Sequence, residues 1–112
     1  PMKTVSFGII EKIDRENKVM YIKMKKPRSA QIYEFEQDAL AISWNDNTEV
    51  FYRKNCDIEN GALKCLSVQK ITLENLNAGQ IINVEYITEE SIQVINNLPL
   101  KKINHIAMKI SL

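Results

Sequence analysis

The sequence predicts an all-β domain, a small barrel or sandwich. Three observations carry that reading. Isoleucine, valine and threonine recur along the chain, which favours strands. Short runs alternate apolar and polar residues with a period of two. Clusters of Asn, Asp, Ser and Glu separate those runs at short spacing, the pattern of small barrels and sandwiches.

Each element follows in order. TVSFGIIEKID (4–14) reads as a first strand, with Val5, Phe7 and Ile9 alternating and Ile10 and Ile13 out of phase. Gly8 inside that strand marks a bulge or a tight bend. RENK (15–18) is a polar turn, and VMYIKMK (19–25) a second strand with Met20, Ile22 and Met24 on one face and Tyr21, Lys23 and Lys25 on the other. KPRSA (26–30) is a loop. QIYEFE (31–36) reads as a third strand, so that Lys23 and Lys25 lie beside Glu34 and Glu36, an opposite-charge arrangement that favours one register. LAISW (40–44) is a short strand, NDNT (45–48) a turn, and EVFYR (49–53) another strand. Residues 54–70 fit either a helical turn or a strand.

ITLENLNAGQIINVEYI (71–87) is the best-patterned stretch. Thr72 caps a short turn through its hydroxyl oxygen, Leu73 and Leu76 point inward, and Gly79 takes the positive φ that ends the turn. Ile82, Val84 and Tyr86 then alternate toward a core. The turn reads as a corner that feeds a strand, not as a site. TEES (88–91) reads as a turn and SIQVIN (91–96) as a strand. INHIAMKISL (103–112) closes the chain with Ile106, Met108 and Ile110 on one face.

Length and charge bound the function. At 112 residues this is one domain, 1–112, able to fold without metals or many disulfides. Net charge is +1, which argues against a dedicated nucleic-acid binder. The charge is uneven: residues 1–30 carry net +5, 31–60 net −5, and 61–112 net +1. Pairing between neighbouring strands accounts for the asymmetry without a partner. No apolar run approaches the roughly 18 residues of a membrane span. Pro1 precedes Met2, so residues 1–2 read as a cloning remnant.

The segments FGIIEKID (7–14), NTEVFYR (47–53), 71–87 and HIAMKI (105–110) together resemble a family of small bacterial β-barrel domains of unknown function, often exported. Gly8, Ile13 and Asp14 match its opening, Thr48 and Val50 its middle, Leu76, Gly79, Val84 and Tyr86 its turn and strand, and Ala107 and Ile110 its end. The resemblance implies an OB-like antiparallel barrel of five to seven strands with one or two short helical turns, a periplasmic or otherwise exported location, and no catalytic residues. Residues 54–70 depart from the pattern and read as an insertion.

Candidate sites are few. Cys56 and Cys65 have three readings: a disulfide closing a small loop, free or buried thiols, or a metal pair. Their spacing exceeds the two to four residues usual between zinc ligands. His105 is the single histidine, placed on the face opposite Ile106 and Met108, and no Ser-His-Asp set can be assembled around it. Tyr21, Lys23, Lys25, Lys26, Arg28 and Tyr33 form the best binding candidate, with cations to meet phosphates and rings to stack on bases. Trp44, Phe51 and Tyr52 surround a hairpin, and one of Phe51 and Tyr52 must face outward unless 54–70 covers it. Met20, Met24 and Met108 read as core. The expectation is a non-enzymatic binding or assembly module of the bacterial cell envelope, without cofactor or metal. Protein partners or self-association are favoured over nucleic acid, and a small-molecule substrate is not expected. The alternative is a single-stranded nucleic-acid binder using the 21–33 hairpin.

Overall fold

Residues with period-two apolar patterning become strands here, and a closed ring of them makes the core. The computed structural model describes residues 2–27 and 34–112. Its elements are β1 (Met2–Asp14), β2 (Val19–Met24), β3 (Leu40–Ser43), β4 (Glu49–Glu59), β5 (Ala62–Ile71), a 3-10 turn (Leu73–Asn75), β6 (Ile81–Ile95) and β7 (Leu98–Ser111). The strands run in the order β3-β2-β1-β6-β7-β4-β5, and β3 also pairs with β7. That last pairing closes β1, β2, β3, β7 and β6 into a ring of five. The pairings are antiparallel except β3–β7 and β4–β7. The chain is thus a small all-β domain.

The ring encloses Ile10, Met20, Ile22, Ile42, Val50, Leu76, Ile82, Val84, Ala107 and Ile110, all buried. Ile82, Val84 and Tyr86 point inward as their alternation predicts. On β1 the Val5–Phe7–Ile9 set lies on the outer face, with Val5 and Phe7 exposed. Register shifts between Ile10 and Lys12 leave Glu11 as an extra residue. That bulge is the physical reason why Ile13, three residues on, turns to the same side as Ile10. Gly8 serves a different purpose. A Cβ there would lie 2.5 Å from Ile22 Cγ2, so Gly8 permits the close approach of β2.

A second bulge corrects the expected face of the last strand. Glu85 pairs with Lys109 and Tyr86 with Ala107, which leaves Met108 extra. Ala107 and Ile110 are therefore buried while Met108 is exposed. Of the three methionines read as core, Met20 is buried, Met24 packs against the core, and Met108 does not.

The 71–81 corner is fastened to the opposite end of β1. Leu76 is buried and Leu73 packs beside it. Arg15 Nη1 donates to the Leu73 carbonyl (2.9 Å) and Nη2 to the Leu76 carbonyl (2.6 Å). The Gly79 N–H donates to the Ile10 carbonyl at 2.7 Å, with Gly79 at φ 92. Thr72 stands at the N-cap of that turn and Asn75 reaches back to it: the Thr72 hydroxyl donates to Asn75 Oδ1, which also accepts the Thr72 N–H.

The largest departure from expectation lies outside the ring. β6 runs without interruption through residues 88–91, so TEES is strand, not turn. Residues 54–70 are neither a helical turn nor a cover over the barrel. They complete a hairpin, β4–β5, whose turn residues Asn60 and Gly61 both have positive φ. The β6–β7 hairpin turns at Asn96 and Asn97, again both at positive φ. Two positive-φ residues define the tight turn whose twist suits paired strands. β1 accompanies β6 only as far as Thr88, and β3 meets β7 at Ile106. Beyond those points β6 and β7 continue as a two-stranded arm about 23 Å long. The β4–β5 arm leaves from the other end of β7, because β4 runs parallel to β7 and continues past Ser111. The arms raise the radius of gyration to 15.8 Å, above the roughly 13 Å of a compact chain this size.

Candidate functional site

Alternation along β2 sets Tyr21 and Lys23 on the outer face, between the inward Met20, Ile22 and Met24. Lys12 Nζ stands 5.7 Å from the Tyr21 ring centre, within cation–π range. Lys23 pairs with Glu11, the bulged residue of β1, at 3.5 Å. Lys25 forms a single antiparallel bridge with Phe35, and the Lys26 N–H donates to the Glu34 carbonyl. This corrects two expectations. Residues 34–36 form a bridge and not a strand, and the register sets Lys25 opposite Phe35, one residue from the anticipated alignment. Residues 31–33 of the expected strand, and with them Arg28 and Tyr33 of the candidate set, lie outside the described residues. The structure brings together Tyr21, Lys23 and Lys12, and the sequence reading had not included Lys12.

His105 is not a surface residue beside exposed polar groups. It faces the same side as buried Ala107 and is half-buried. Its Nδ1 lies 2.9 Å from the Thr88 hydroxyl, and its ring meets Tyr86 edge-on with centroids 5.5 Å apart. Among the described residues, no group of three or more His, Cys, Asp or Glu side chains is placed to hold a metal ion. No helix among them is long and apolar enough to cross a membrane.

Cys56 and Cys65 stand directly opposite each other on β4 and β5 and pair as a cystine. Asn55, at φ 52, sits just before it and interrupts the alternation of β4. As a result Leu63 and Cys65 share a shallow groove with Phe51, Arg53, Val68 and Lys109. Lys109 Nζ lies 5.4 Å over the Phe51 ring. Tyr52 faces the other way and is exposed, with Lys54 above it. The rings therefore divide as strand geometry requires, and the 54–70 segment shelters Phe51 only along one side. Trp44 packs against the core.

The arms carry the most unusual surface. Ile58, Leu63, Leu66 and Val68 are exposed on β4–β5, with Leu66 at 87%. Ile92, Val94, Ile95, Leu98, Leu100 and Ile103 are exposed on β6–β7, with Ile92 at 74% and Val94 at 70%. Both arms are electrically balanced. Lys54, Asp57, Glu59 and Lys64 cancel on the first, and Glu89, Glu90, Lys101 and Lys102 on the second. Lys101 pairs with Glu90 at 3.1 Å. Soluble monomers rarely expose large contiguous apolar surface without a use for it.

Comparisons of the chain with protein-family models, with curated proteins and with solved structures find no match. The family resemblance drawn above therefore rests on the turn and strand signals themselves, and its coarse content, a small all-β domain, is what the structure shares.

Proposed function

We propose that this chain is a non-enzymatic binding and assembly module, built on an OB-like ring and working through its two hairpin arms. The observation that carries the reading is the apolar surface of the arms. A two-stranded ribbon is marginal in water by itself, and Ile92, Val94, Leu98 and Leu66 extend from such ribbons into solvent. A partner that covers them gains the transfer free energy the fold leaves unused, about 25 cal/mol per Å². The OB-like reading is supported by a five-stranded ring whose third strand closes in parallel onto the last. The cystine supports residence in an oxidising compartment such as a bacterial envelope.

The test uses a photo-reactive residue. It is placed at Ile92 in one version of the protein and at Glu74, on the corner turn, in another. The reading expects a discrete adduct from Ile92 that Glu74 does not give, lost when Val94→Lys and Leu98→Lys are added. Equal labelling at both positions would sink it.

A second reading is favoured by Tyr21, Lys12 and Lys23 on the β1–β2 outer face, since OB barrels bind single strands on the neighbouring face of strands two and three. It predicts salt-dependent retention of an oligonucleotide, weakened by Tyr21→Ala and by neutralising Lys23, Lys25, Lys26 and Arg28 together. Retention that ignores salt and these changes excludes it.

A further inference from the structure

Every strand edge left open is an invitation to pair, and natural proteins close such edges with charge, proline or cover. Among the described residues, long unpaired edges run along the outer parts of β4, β6 and β7 and along β5. All four carry charge, but it is placed differently along each. The open part of β4 bears Lys54, Asp57 and Glu59, and the uncharged run of β5, residues 65–69, is flanked by Lys64 and Lys70, which a twofold antiparallel pairing would set against each other. The open part of β7 has Lys101 and Lys102, and Pro99, which has no N–H to donate. β6 differs. From Ser91 to Ile95 it reads SIQVI, five consecutive residues without charge, proline or glycine, all exposed. An exposed edge of this kind, uncharged and rich in β-branched residues, is open to pairing with another strand.

We propose that two copies of this chain join through the open edge of β6, antiparallel and centred on Gln93, so that their long arms form one four-stranded sheet. The proposal rests on the reading of the arms as association surfaces and names their partner. A twofold axis through Gln93 sets Gln93 against its mate, Ile92 against the partner copy's position 94, and Ser91 against position 95. Ile92 thus faces Val94 twice across the seam, a favourable β-branched cross-strand pair. Glu89 and Glu90 fall opposite the uncharged Asn97 and Asn96 turn of the other copy, so no like charges meet. The arm's balanced charge removes long-range repulsion between copies.

The experiment combines sedimentation equilibrium of the purified, oxidised chain with single-cysteine cross-linking. The expected mass is that of a dimer. Gln93→Lys sets like charges face to face and raises the dissociation constant about tenfold or more. Gln93→Cys, whose thiol meets its own mate, gives a covalent dimer on mild oxidation. Leu100→Cys, across the arm on β7, gives none, although it sits on the same hairpin. A monomer at all concentrations overturns the proposal, as does a dimer indifferent to Gln93→Lys or one that cross-links equally at both cysteines. If the purified chain is monomeric while the Ile92 photo-adduct with another protein persists, the arm remains a binding surface and only the self-pairing is wrong. Circular dichroism of each variant separates loss of pairing from loss of fold.

Discussion

Replacing Gly8 by alanine tests how tightly β1 and β2 are pressed together. The new Cβ would lie 2.5 Å from Ile22 Cγ2, 3.0 Å from the Lys23 carbonyl oxygen and 3.1 Å from Met24 Sδ. Met24 can rotate away, being only partly buried. Ile22 is wholly buried and the carbonyl belongs to a paired strand, so neither yields without moving the sheet. Overpacking of this kind costs about 1–3 kcal/mol. Alanine also stiffens the unfolded chain, which offsets about 0.4–1 kcal/mol. The expected net loss is therefore about 1–2 kcal/mol in urea denaturation, with an unchanged m-value. The sharper test is a double-mutant cycle. Ile22→Ala alone leaves a cavity and costs about 2–5 kcal/mol. With Gly8→Ala beside it, the added methyl has space and partly fills that cavity, so the pair costs less than the two changes separately by about 1 kcal/mol or more. Strict additivity would refute the close approach as the reason for glycine at this position.

Other outcomes follow from the same contacts. Arg15→Ala removes two charge-assisted hydrogen bonds to the Leu73 and Leu76 carbonyls, and should cost about 1–3 kcal/mol in chemical denaturation. Arg15→Lys should recover little of it, since one ammonium cannot span both carbonyls as the guanidinium fork does. Asp14 is held below its ordinary 3.8, first by the Asn17 side-chain amide and then by the Asn17 backbone N–H. Its folded pKa lies under the unfolded value, so its contribution is present above that value and lost as pH falls through the folded pKa. Asn17→Ala should move the Asp14 carboxyl titration, followed by NMR, back up toward 3.8. Reducing the cystine should raise hydrogen exchange at residues 57–64 while leaving Ile82 and Val84 protected. A bridge closing a loop of this size stabilises by about 2–3 kcal/mol, and here that stabilisation belongs to the arm.

The ring was legible because its residues obey rules that a single strand displays. Ile82, Val84 and Tyr86 alternate and face a core, and Leu76 and Gly79 mark the corner before them. Bulges were the first failure. Each adds a residue and reverses the faces beyond it, so Ile13 turned to the same side as Ile10 and Met108 left the core, although both strands were recognised. Only the partner strand reveals a bulge, and alternation by itself cannot assign it. Gly8 pointed to an irregularity in β1, but the extra residue is Glu11.

The arms were missed for a different physical reason. Binary patterning assumes that one face of a strand meets the core of its own chain. Residues 54–69 and 89–104 have no such core, so their apolar residues fall on both faces; SIQVIN (91–96) still reads as a strand, but nothing in its pattern joins it to the rest of β6 or pairs it with residues 98–104. Local turn chemistry still pointed to them. Asn60-Gly61 between CDIE and ALKC is a strong hairpin signal, and Asn96-Asn97 between QVI and LPL is a weaker one of the same kind. Cys56 and Cys65 are symmetric about the first turn, each followed or preceded by residues that pair in register. A stretch that has turn signals, β-branched residues and no consistent inward face is a strand whose partner lies outside its own barrel. The same patterning that obscured these arms is what supports the proposal that they are surfaces for association.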